Sequence, residues 1–67
     1  MTKSYKITAI WPSGLEQKGN FIWSGNAYDE DEAKRECLSE MAMLAGITDQ
    51  DEVESFCEAI RRLGIKI

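Results

Sequence analysis

The side chains with the most chemistry to offer in this sequence are Cys37, Cys57 and a dense set of carboxylates, because no histidine is present. That removes the commonest general base and metal ligand at the outset. A reactive thiol needs a base or a cation beside it, and a zinc site needs four nitrogen or sulfur donors. Two cysteines on apolar stripes supply neither. Each lies at a similar remove from Ile47, so in an antiparallel helical pair the two thiols become neighbours. A disulfide there would close a loop of about 20 residues, worth roughly 3 kcal/mol in the loop-entropy picture. No secretory segment argues for an oxidising compartment, and buried free thiols are the expectation.

The carboxylates read in the same way. Asp29 with Asp31, and Asp49 with Asp51, have the Asp-x-Asp spacing that begins a calcium loop. Lys34 and Glu54 stand where that loop needs its glycine, and both pairs sit where helices begin, which is where acids are favoured anyway. Gly14, Gly19 and Gly25 match neither nucleotide-binding fingerprint. Paired carboxylates for sugar hydrolysis need a cleft that a 67-residue chain has little room to build. The expectation is a protein that is not an enzyme and needs no metal and no cofactor.

The elements that carry these residues follow from periodicity. Tyr5, Ile7, Ala9 and Trp11 alternate with Lys6, Thr8 and Ile10, the period-2 pattern of a half-covered strand, which Pro12 ends. Phe21-Ile22-Trp23 reads as a second strand, stopped by Ser24-Gly25-Asn26, and forms a hairpin with the first. From Asp29 the period changes. Ala33, Cys37, Leu38, Met41, Leu44 and Ala45 fall at helical spacing, with Asp29 as N-cap, Glu32 as its capping-box partner and Gly46 as the stop. Thr48 is the expected cap of a second helix whose stripe is Val53, Phe56, Cys57, Ile60 and Leu63. Arg61 and Arg62 suit its last turn and Gly64 its end. Ile65-Lys66-Ile67 alternates as a short final strand.

The predicted fold is α+β, a single two-layer ββααβ domain over residues 1–67. A three-stranded mixed sheet is covered on one face by a helical hairpin, with the first strand central and the last strand parallel to it. The open face should show Lys6, Thr8, Ile10, Asn20, Ile22, Ser24 and Lys66. Tyr5, Trp11, Phe21 and Trp23 then serve the core rather than stacking on bases. No apolar run has the length of a signal peptide or a membrane span, so the expectation is a soluble, cytoplasmic protein that does not engage membranes.

Charge is distributed unevenly. Residues 1–28 carry Lys3, Lys6 and Lys18 against Glu16, residues 29–58 carry Lys34 and Arg35 against all the other acids, and Arg61, Arg62 and Lys66 follow; the total is −4. An acidic helical surface of this kind suits a basic partner. The leading expectation is a non-catalytic protein-binding module using Asp29, Glu30, Asp31, Glu32, Glu36, Glu40, Met43, Asp51, Glu54 and Glu58. Met43 enters because it lies off the apolar stripe beside Glu36 and Glu40, and an exposed thioether adapts to a partner's shape. The sharper form is an inhibitor whose carboxylates occupy a basic surface that holds nucleic acid. In size and acidity the chain is similar to small phage-encoded inhibitors, anti-CRISPR proteins among them, a likeness of bulk properties and not of a shared motif. Direct nucleic-acid binding through Lys3, Lys6, Lys18, Arg61, Arg62 and Lys66 is disfavoured by the overall acidity. The remaining alternative is an oligomerising role through an open sheet edge, with a monomer or weak homodimer expected.

Overall fold

Alternation along the first segment buries Ile7, Ala9 and Trp11 and leaves Lys6 and Ile10 exposed, and strand β1 spans Lys3–Ile10. The computed structural model describes all residues from Met1 to Ile67, and after β1 come β2 (Asn20–Ala27), α1 (Glu30–Leu44), α2 (Gln50–Leu63) and β3 (Ile65–Lys66). The order ββααβ and the two-layer α+β architecture are those predicted. The strands form one sheet in the order β2-β1-β3, with β1 central, and β1 pairs antiparallel to β2 with Ile7 opposite Trp23 and Ala9 opposite Phe21.

The sheet is antiparallel throughout, which corrects the mixed sheet expected from the sequence. β3 pairs with β1 through Ala9 opposite Ile65 and Thr8 opposite Lys66. The physical reason is where α2 sets the chain down. Leu63 lines a surface hollow with Trp11 and Leu15, at the Pro12 end of β1, and only Gly64 separates α2 from β3. From that end the chain can lie beside β1 only by running back toward Lys3. Gly64 makes the change of direction at φ 109°, a region open to glycine.

β2 is also longer than the sequence suggests. It continues through Ser24-Gly25-Asn26 to Ala27, whose side chain is fully buried. Gly25 is a packing residue and not a stop. A Cβ there would lie 2.7 Å from Trp23 Cζ2 and 2.8 Å from Cη2, so the absent side chain makes room for the indole.

The helix ends follow local chemistry. Asp29 caps α1 by accepting from the Glu32 N–H at 2.8 Å, and the Glu32 carboxylate reaches back to the Tyr28 N–H at 3.3 Å. At the other end the Gly46 N–H donates to the Met43 carbonyl and the Ile47 N–H to that of Ala42, a Schellman motif with Gly46 at φ 75°. The Gln17 amide donates to the Leu44 carbonyl at 2.8 Å, which ties the β1–β2 loop to the end of α1. α2 is capped by Asp49, one residue later than the Thr48 expected. The Asp49 carboxylate accepts from the N–H groups of both Asp51 and Glu52.

Both helices lie on one face of the sheet. The core joins Ile7, Trp11 and Trp23 to Cys37, Leu38 and Met41 of α1 and to Phe56 and Ile60 of α2. Trp11 is the junction, edge-on to Phe21 at 5.6 Å and tilted against Phe56 at 6.3 Å. Two positions on the predicted stripes are instead exposed. Leu44 lies outside the core, with Ala42 buried in its place, and Leu63 is half out at the end of α2.

Candidate functional site

The opposite face of the sheet is open, with Lys6, Ile10, Asn20, Ile22, Ser24 and Lys66 exposed as predicted and Thr8 partly covered. It bears two lysines and no carboxylate. The acids are carried by the helices, where Asp29, Glu30, Asp31, Glu36, Glu40, Asp51, Glu54 and Glu58 are exposed and Glu32 is half-buried.

Packing sets apart two subsets of these acids that the sequence does not separate, while Asp51 and Glu54 of α2 line neither the hollow nor the groove beside α1 and Glu32 is engaged with the Tyr28 N–H. On the α1 flank facing α2, Asp29 and Asp31 share a hollow with Lys34, Arg35, Arg61 and Ile65. Lys34 also pairs with Glu30 at 3.3 Å, and on α2 Arg62 pairs with Glu58 at 3.0 Å. These are solvent-exposed pairs one helical turn apart, worth a few tenths of a kcal/mol each. The hollow carries both signs of charge and presents no net acidic face.

The other flank of α1 has a different character. Glu36, Ser39, Glu40 and Met43 line a shallow groove whose floor on the sheet side is Trp23 of β2. Met43 is 75% exposed, and no lysine or arginine lines the groove. An apolar floor with an acidic rim suits a side chain having an aliphatic stem and a cationic head. The groove runs beside β2, which is an edge strand paired on one side only.

The thiols stand apart from this flank's surface. Cys37 is wholly buried in the core, where desolvation first and then the charge of Glu40 push its pKa up to about 11. Cys57 is half-buried and is also raised, chiefly by burial, with Arg61 pulling down and Glu54 pushing up. Both are free thiols, and no group of three or more His, Cys, Asp or Glu side chains converges to hold a metal. Raised pKa values make both poor nucleophiles at neutral pH.

Sequence reasoning identified Met43, Glu36 and Glu40 as one exposed group, and the fold keeps them together. It missed Trp23 as their floor, because the alternation that places Trp23 on the core side does not say that its ring reaches the sheet margin. Arg61 and Arg62, which the nucleic-acid alternative uses as basic contacts, lie beside acids: Arg61 lines the hollow with Asp29 and Asp31, and Arg62 pairs with Glu58. No helix is long and apolar enough to cross a membrane. Comparisons of the chain with protein-family models, with curated proteins and with solved structures find no match.

Proposed function

We propose that this chain is a non-catalytic protein-binding module that takes a basic partner along the α1 flank beside β2. The observation that carries the reading is the groove of Trp23, Glu36, Ser39, Glu40 and Met43, which combines an exposed thioether, an indole floor and two carboxylates with no cation among its lining residues. Apolar contact supplies affinity there, and the carboxylates supply orientation and speed of encounter. The acids near Arg61 and Arg62 contribute to the general negative field and are secondary contacts. A partner whose basic surface also holds nucleic-acid phosphates fits this chemistry, and occupying that surface would make the module an inhibitor.

The test is capture of partners from host lysate by the wild-type chain and by a Glu36→Lys/Glu40→Lys variant, at low and high salt and with nuclease. The expected result is a prey that survives nuclease, weakens with salt and is lost with the variant while circular dichroism shows the fold intact. Adding nucleic acid in excess then releases the prey if its basic surface is shared. Prey that the variant retains, or that nuclease removes, contradicts the proposal.

A further inference from the structure

We infer that the partner of this groove binds as an added β-strand: an extended segment, basic on one face and aliphatic on the other, that pairs with the free edge of β2. The inference rests on the groove reading above and specifies the shape of what enters it.

The edge itself is the first observation. β2 runs eight residues, Asn-Phe-Ile-Trp-Ser-Gly-Asn-Ala, without a charged side chain or a proline. Long edge strands in soluble proteins normally carry a lysine, a proline, a bulge or a covering element that blocks pairing. Here the pairing with β1 proceeds residue by residue without a bulge from Ala27 to Asn20, and no element lies beyond β2. The hydrogen-bond phase shows which groups are free. The Trp11 N–H donates to the Gly19 carbonyl at 3.0 Å, so in an antiparallel ladder Phe21, Trp23 and Gly25 bond to β1. Asn20, Ile22, Ser24 and Asn26 turn their N–H and C=O groups outward.

The flanking surfaces are the second observation, and they differ on the two faces. A strand added beside β2 points alternate side chains up toward α1 and down along the open face. Above, a lysine or arginine stem lies against Trp23 and Met43 and brings its cation to Glu36 and Glu40. Below, the neighbour is Ile22, 57% exposed, which an aliphatic side chain covers. The occupant is therefore a segment alternating basic and aliphatic residues. A second copy of this chain fits less well. Pairing β2 with β2 about a two-fold axis keeps both helical layers on one face and sets the Glu36 and Glu40 flanks of the two copies against each other.

The probe is an eight-residue peptide alternating lysine and valine, as long as β2, added to the isotope-labelled full chain and followed by amide NMR. Two control peptides accompany it: one of the same composition with lysines and valines in separate blocks, and one N-methylated at alternate amides. The expected result is shifted and exchange-protected amides at Ile22, Ser24 and Asn26, and binding weakened about tenfold or more by N-methylation, by block order and by Glu36→Lys/Glu40→Lys. Ser24→Pro removes one outward N–H and should weaken binding too; where that variant does not fold, the N-methylated peptide removes the same ladder from the other side. If the control peptides bind as well as the alternating one but still depend on Glu36 and Glu40, strand addition is wrong and the groove reading stands. If no lysine peptide binds, both fall. Concentration-dependent protection of the β2 amides in the free chain would mean that the edge serves a second copy, and would overturn the inference.

Discussion

Gly25→Ala tests the packing that shapes both the core and the groove floor. Gly25 is not among the glycines with positive φ, so alanine can adopt its backbone, and on chain entropy alone the change should stabilise by about 0.4–1 kcal/mol. The side chain opposes this. Its Cβ would lie 2.7 Å from Trp23 Cζ2 and 2.8 Å from Cη2, well inside van der Waals contact. Trp23 is 8% exposed and packed in the core, so its ring can retreat only by displacing neighbours. Overpacking of this kind costs about 1–3 kcal/mol, which outweighs the entropic gain and leaves a net loss of roughly 1–2 kcal/mol. For a domain of this size that is a fall in Tm of about 4–16 °C. Urea unfolding followed by far-ultraviolet circular dichroism measures it without relying on the perturbed indole. Repeating the substitution in a Trp23→Phe background, which lacks the two clashing atoms, should abolish most of the loss. A neutral or stabilising Gly25→Ala, or an equal loss in both backgrounds, refutes the packing argument.

Other outcomes follow from the same contacts. Asp29→Ala removes the acceptor for the Glu32 N–H and should cost about 1 kcal/mol in urea unfolding, with Asp29→Asn largely restoring it. Gly46→Ala forces a side chain into the left-handed region at φ 75° and should cost about 1–2 kcal/mol by the same assay. Burial holds the Cys37 thiol protonated to about 11 against an ordinary 9.0, so the unfolded chain ionises first as pH rises. The contribution of this thiol is therefore full below pH 9 and declines between pH 9 and 11 by about 2–3 kcal/mol, so Cys37→Ala should flatten the unfolding-stability curve over that range, leaving the decline that the raised Cys57 thiol contributes. Glu30→Gln should change stability by less than about 0.5 kcal/mol, because its pair with Lys34 is solvent-exposed.

Much of the fold could be read from the chain because local signals agree with one another. Tyr5 to Trp11 alternates cleanly, Ala33 to Met41 repeats at helical spacing, and Asp29 and Gly46 end α1 with capping chemistry available within a few residues. What could not be read depends on packing between elements. The direction of β3 is decided by α2 delivering Leu63 to the Trp11 end of β1, which no local pattern encodes. Gly25 looks like a strand stop until the indole of Trp23 is placed over it. Thr48 and Asp49 can each cap a helix, and only the observed N–H geometry at Asp51 and Glu52 separates them. The acids of α1 all fall within residues 30–40 of the sequence, yet Asp31 and Glu40 end on opposite flanks, one among cations and one beside Met43 and Trp23. Division of a charged helix into a balanced flank and an acidic flank is a property of the neighbour it packs against.

The central claim is that the α1 flank beside β2, and not acidity in general, recognises the partner. Titration calorimetry of the captured partner against Glu36→Lys/Glu40→Lys and, separately, Glu54→Lys/Glu58→Lys compares equal charge changes on different surfaces. The account predicts a loss of about tenfold or more for the first variant, together with a much smaller, salt-suppressed loss for the second. Equal losses from the two variants, or a greater loss from the second, would contradict it.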